Sequence, residues 1–123
     1  MTDKRRKILL WILSGVTAPG VAFVGFSKVI HHPIAVEHAH TLHYGTVVMT
    51  ILGVCELLAA AGLFIRRVRA LVCVGMIAAV LGAIGVHVGA QSPIENILHG
   101  VVYLILFSLI LYFDDSFRIE YTP

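Results

Sequence analysis

The chain has 123 residues, of which 59% are hydrophobic and only 13% charged, with a mean hydropathy of +0.93. That leaves too little polar surface to coat a water-soluble globule, which excludes an ordinary soluble enzyme or binding domain. The net charge of +2 is not gathered into a basic, aromatic-interleaved patch, so no nucleic-acid partner is expected.

Four apolar runs, at residues 8–30, 44–65, 70–90 and 94–113, fill nearly the whole chain. Each has the ~20 residues that a helix rising ~1.5 Å per residue needs to cross a ~30 Å hydrocarbon layer. The runs are apolar nearly all round, unlike the one-sided helices of a soluble bundle. The expected fold is all-α: a transmembrane four-helix bundle, one domain over residues 1–123, with both termini cytoplasmic. Charge sets that orientation. Lys4, Arg5, Arg6 and Lys7 precede the first run, Arg66, Arg67 and Arg69 lie between the second and third, and Arg118 follows the fourth. An even number of spans gathers these groups on one side, which the positive-inside rule makes cytoplasmic. Of the nine basic residues only Lys28 falls elsewhere, and the outer connections, residues 30–43 and 91–92, contain none. The charge then serves topology and anionic lipid headgroups.

The first run follows a basic stretch, as a secretory signal would, but its apolar core is too long and no small-residue cleavage site follows before Lys28. It reads as a retained helix, kinked at Pro19-Gly20 because proline lacks the N–H and crowds the preceding turn. Lys28 ends it near the outer surface, where a lysine can snorkel.

Pro33 is placed to start an amphipathic outer extension of the second helix. If that extension is helical, His40 and His43 share one face at (i, i+3), with Glu37 and Tyr44 a turn either way. Glu56 sits about halfway along the second run, where an ionised carboxylate is costly unless paired or hydrated, so it must face the bundle interior. Counted from the run boundaries, Lys28 and Glu56 differ in depth by about two to three turns. Connecting them would take a polar chain, water, or different boundaries. Cys55 falls near mid-membrane and Cys73 near the cytoplasmic end of the next helix. Those depths disfavour a disulfide, and both cysteines read as core filler.

In the third run Gly75 with Ala79, Ala78 with Gly82 and Gly85 with Gly89 are small pairs at helical spacing, suited to close approach of a neighbouring helix. The fourth helix starts near Ser92-Pro93-Ile94-Glu95: a capping hydroxyl, proline at the first helical position and glutamate at the third.

All seven histidines (His31, His32, His38, His40, His43, His87 and His99) fall on the outer side of this topology. Three readings stand. They form a polar interfacial cap, since an imidazole has an apolar body and a polar edge. Alternatively His40, His43, His87 and His99 converge as ligands for a metal or haem iron, which needs three or four donors at one point. The third reading is proton handling, because imidazole titrates near external pH. His87 is the deepest of them, and an intramembrane ionisable residue is a functional candidate by default.

The charged positions also carry a resemblance. Gly25-Phe26-Ser27-Lys28-Val29 is similar to the Gly-x-x-Lys-apolar ending of the first helix in the DoxX-like family. Glu56-Leu57-Leu58 followed by Gly62-Leu63 resembles that family's Glu-Leu-Leu then Gly-Leu pattern. The basic turn Arg66-Arg67-Val68-Arg69, then small residues leading to His87, resembles its third helix. The resemblance spans all four runs and implies a small four-helix protein of the bacterial inner (cytoplasmic) membrane. Some members of that family are subunits of membrane oxidoreductases that pass electrons to quinone. The histidine-rich outer segment lies outside the pattern. A small multidrug exporter fits less well, because its essential carboxylate would lie in the first helix.

The expected function is a small integral subunit of a membrane redox system that meets quinone near the outer face. Glu56 and His87 are the candidate catalytic groups, and Lys28, His87 and His99 the candidate cofactor-binding groups. A quinone site needs hydrogen-bond donors and a proton acceptor at the headgroup beside an apolar channel for the tail. Two other classes fit the same residues: a non-enzymatic scaffold or assembly partner, and a proton-coupled solute transporter with Glu56 as carrier. The partners implied are the lipid bilayer and another membrane or redox subunit, or further copies of the chain. No nucleophile triad or phosphate loop is present, so catalysis by the chain alone is not expected.

Overall fold

The computed structural model describes residues 2–114, and among them every regular element is a helix. These are α1 (Asp3–Val29), α2 (Pro33–Thr41), α3 (Thr46–Gly62), α4 (Arg66–Gly89) and α5 (Ile94–Phe113). Arg118, counted above among the cytoplasmic charges, lies outside the described residues.

By length and composition three helices can cross a membrane: α1, α4 and α5. The second run behaves differently. Its outer extension is not a continuation but a separate helix, since α2 and α3 meet at a bend of 116°. Counted together as one broken span, they make the fourth. Local chemistry sets that break. His43 adopts φ 62°, a left-handed conformation that stops α2, and Gly45 restarts the chain as the N-cap of α3. His43 is therefore not helical, and the expected stacking of His40 and His43 on one helical face does not form.

Three of the turns at this end share one device. The amides of His32, Tyr44 and Ser92 reach back to the carbonyls of Ser27, Ala39 and His87, at 2.9, 3.0 and 3.0 Å. The residue before each of them, His31, His43 or Gln91, is left-handed. Each is the Schellman closure of a helix end, made without the usual glycine. At the opposite end, the Thr2 hydroxyl accepts from the Arg5 N–H at 3.3 Å and opens α1. α1 then runs unbroken through Pro19, whose ring lies on an exposed face.

The long helices pair antiparallel in sequence order. α1 lies along α3 and α4 along α5, and α1 also packs on α5 to join the pairs. Toward the basic end the core is Leu10, Ala18, Val21, Ala60, Leu63, Cys73, Phe107 and Ile110. Trp11, Phe23, Leu71 and Tyr112 point outward, each at least 64% exposed, as suits a surface that meets lipid tails. Between such helices close packing and polar contacts hold the fold, because hydrocarbon removes the usual drive to bury apolar surface.

The close approaches are not where the third run suggested. Gly75, Gly82, Gly85 and Gly89 on α4 face open space, and the tight crossing instead joins Gly25 of α1 to Gly53 of α3. A Cβ added at Gly25 would lie 2.8 Å from the Gly53 carbonyl oxygen, and one at Gly53 would lie 2.7 Å from the Gly25 carbonyl oxygen. Only glycine fits at either position.

Candidate functional site

The Gly25–Gly53 crossing positions the two charges. Lys28 follows Gly25 by three residues and Glu56 follows Gly53 by three, so each charge sits on the same helical face as its glycine. With the backbones this close, the Cβ of Lys28 lies 2.9 Å from where a Gly53 Cβ would be, and that of Glu56 2.9 Å from where a Gly25 Cβ would be. The Lys28 Nζ then donates directly to Glu56 Oε1 in an ion pair whose side chains are 19% and 16% exposed. No polar chain intervenes, which corrects the depth difference inferred from the run boundaries. The His31 Nε2–Thr50 Oγ1 bond of 2.8 Å puts Thr50 level with the turn just past α1, so the start of α3 overshoots the end of α1 by between one and two turns, and Glu56 is only about one turn deeper than Lys28.

His87 stands at the same end of the bundle. Its Nδ1 is 2.9 Å from the Ser92 hydroxyl, its ring centroid is 5.5 Å from that of His38, and it lies within electrostatic range of Lys28. Ser92 thus spends its hydroxyl on His87 rather than on capping. The cap of α5 is Pro93, and helix begins at Ile94, one residue later than the sequence suggested. Below the ion pair, the Tyr103 hydroxyl rests against Gly20 of α1, where a Cβ would collide with it. Tyr103 lies within electrostatic range of Glu56, and its ring lies, tilted, between those of His99 at 4.9 Å and Phe107 at 6.3 Å.

Lys28, Glu56 and His87 are therefore gathered at one end, with His99 attached through Tyr103. The proposed metal set is not gathered. His40 lines a shallow groove with His31, Pro33, Val36, Glu37 and Thr41, and His43 sits in the turn before α3. Among the described residues no three His, Cys, Asp or Glu side chains converge as metal ligands. It is His38, not His40 or His43, that meets His87 across the α2–α4 gap, because the bend after α2 carries His43 away.

Two members of the cluster were missed in the sequence. Tyr103 had a signal, since His99, Tyr103 and Phe107 recur every four residues on one face of α5. His38 had none, because its meeting with His87 depends on how α2 folds back.

Arg69, counted above among the charges that set topology, also makes contacts within the protein. Its Nε donates to the Leu63 carbonyl at 2.7 Å and its Nη1 to Asp114 Oδ2 at 3.4 Å, with the Asp114 side chain fully buried. This clasp ties the α3–α4 turn to the end of α5. Cys55 is exposed and Cys73 buried, and both are free.

No curated protein and no solved structure matches the chain. A family model does, over residues 12–110, a stretch that includes the glycine crossing, the ion pair, His87, His99 and Tyr103. The chain belongs to the DoxX-like family.

Proposed function

We propose that this chain is a small integral subunit of a redox system in the bacterial cytoplasmic membrane, holding a quinone headgroup at its histidine end. The observation that carries the reading is the Lys28–Glu56 ion pair, kept inside the bundle with His87 in electrostatic range. The residues suit such a headgroup: Lys28 Nζ and an imidazole N–H donate to carbonyl oxygens, and Glu56 can take or give a proton. A bound quinone supplies two-electron, two-proton redox chemistry. Lys28 would orient such a headgroup and supply positive charge beside it. Glu56 holds the proton, and Tyr103 and His99 close the site from below. A partner subunit would supply the electrons, and exposed apolar side chains such as Phe23 and Phe26 would border an isoprenoid tail.

Glu56→Gln tests this directly. The amide keeps the size and one acceptor but cannot release a proton, so quinone reduction by the assembled complex in liposomes is expected to fall at least about a hundredfold, at the low end for general acid–base groups. Thermal stability in detergent should stay close to that of the parent. Normal activity with normal stability would remove Glu56 from the chemistry and the reading with it.

Orientation is tested separately. With Cys55 and Cys73 replaced, a cysteine introduced at His32 should react with a membrane-impermeant maleimide added outside intact cells. Labelling only after the cytoplasmic face is opened would reverse the topology that the charges imply.

A second reading, an assembly partner without chemistry of its own, is favoured by the open glycine face of α4. Under that reading Glu56→Gln has no effect on electron transfer.

A further inference from the structure

Two hydroxyls on the buried face of α1 have no partner among the described residues. Ser14 and Thr17 are 1% and 0% exposed, and neither side-chain oxygen makes a hydrogen bond among the described residues. Other, more exposed hydroxyls in the chain bond to their own helix. Ser27 donates to the Phe23 carbonyl at 2.8 Å, Thr41 to that of Glu37 at 3.0 Å and Thr50 to that of Thr46 at 3.0 Å. Ser14 and Thr17 decline the same bond to their own helix and turn into the bundle. Leaving a buried hydroxyl unpaired costs about 1–3 kcal/mol, and buried polar groups without a protein partner commonly hold water.

Their placement gives the water a direction. Ser14, Thr17 and Gly20 follow one another at three-residue steps, ~4.5 Å of rise each, and the Tyr103 hydroxyl sits on Gly20. A single water bridges two oxygens about 5 Å apart, which matches that step. Glu56 packs on Gly25, five residues or ~7.5 Å beyond Gly20, within the span of one or two more waters. Toward the basic end, the antiparallel pairing of α1 with α5 brings the buried Asp114 carboxylate to within about one and a half turns of Ser14. Oxygen-bearing side chains thus recur along the length of α1 between the Arg69–Asp114 clasp and the ion pair.

We infer that Ser14 and Thr17 hold a file of buried water that, with the Tyr103 hydroxyl, carries protons between the basic end of the bundle and Glu56. Each water accepts a proton on one side and donates one on the other. The last transfer forms an O–H bond on a Glu56 oxygen, leaving that carboxyl neutral and Lys28 still charged. The proton-carrying role rests on the quinone reading given above, whereas the hydration does not.

The experiment separates the two. In a chain lacking Cys55 and Cys73, Ser14→Cys, Thr17→Cys and the lipid-facing Val16→Cys are reconstituted and exposed to aqueous silver ion, which needs a hydrated thiolate. Protection is read by maleimide labelling after denaturation. The cysteines at 14 and 17 are expected to react about tenfold faster than the one at 16 or more. Equal, slow reaction at all three would show a dry core and overturn the proposal. A second measurement covers variants that fold poorly. Thr17→Val in the parent should leave stability equal or lower, whereas a clear gain would mean that a dry, unsatisfied hydroxyl had been deleted, and would overturn the proposal too. For the proton role, Ser14→Ala with Thr17→Val should slow quinone reduction about tenfold while leaving quinone affinity unchanged. An unchanged rate in a chain whose labelling shows hydration would overturn the conduction. A parent with no quinone activity would sink the functional reading while the labelling still decides the water.

Discussion

Gly53→Ile is expected to abolish the folded protein, and Gly53→Ala to weaken it by about 1–3 kcal/mol, the cost of overpacking a close contact. A Cβ at this position meets the Gly25 carbonyl oxygen at 2.7 Å, the Lys28 Cβ at 2.9 Å and the Val29 Cγ2 at 3.0 Å. The nearest of these atoms is backbone, so no rotamer change relieves the clash and α1 must move off α3. The loss is compounded because the same crossing holds Lys28 against Glu56. Gly75→Ala is the matched control. Nothing lies within 4 Å of its added Cβ, so it should gain about 0.5–1 kcal/mol from helix propensity alone. Thermal unfolding in a mild detergent, with gel filtration for dispersity, reads both. A Gly53→Ile protein that melts with the parent would show that this crossing does not organise the bundle.

Glu56→Leu should cost about 3 kcal/mol, the low end for breaking a buried ion pair by removing one partner. The side chains keep 19% and 16% exposure, so some solvent reaches the stranded Lys28, which places the cost at the low end. Lys28→Met should cost a similar amount by stranding the carboxylate. The double variant, Lys28→Met with Glu56→Leu, should recover most of the stability, because apolar groups of like volume replace a pair that was expensive to desolvate. Two single losses that fail to add are the signature of direct contact. Additive losses in the double variant would refute the pair as a stabilising unit. Activity should separate from stability throughout: the double variant folds but is inert, if the pair serves a quinone headgroup.

The long apolar runs were legible because hydrophobicity over about 20 residues is a one-dimensional property. So was the need for Glu56 to face inward, since no arrangement leaves a lone carboxylate facing lipid. The family pattern around Lys28 and Glu56 was legible too, and the family match over residues 12–110 agrees with it. Small residues do mark the close crossing, but within the chain it joins α1 to α3 and leaves the glycines of α4 open. α4 carries the more conspicuous glycine spacing, yet the contact forms where Gly25 and Gly53 each precede a charge by three residues.

What the sequence by itself determined was a chain of membrane-spanning helices with polar groups that must find one another inside. Each helix can be read alone, since spacing along one helix decides which residues share a face. The tertiary structure decided which partners they found. Whether Lys28 meets Glu56 depends on how far α3 overshoots the end of α1, and an offset of one turn separates contact from isolation. Whether His38, His40 or His43 meets His87 depends on the 116° bend between α2 and α3, set by a single left-handed residue. The offset arises from packing between helices, and the bend from a residue in the turn between two of them. No periodicity within any one of them records them.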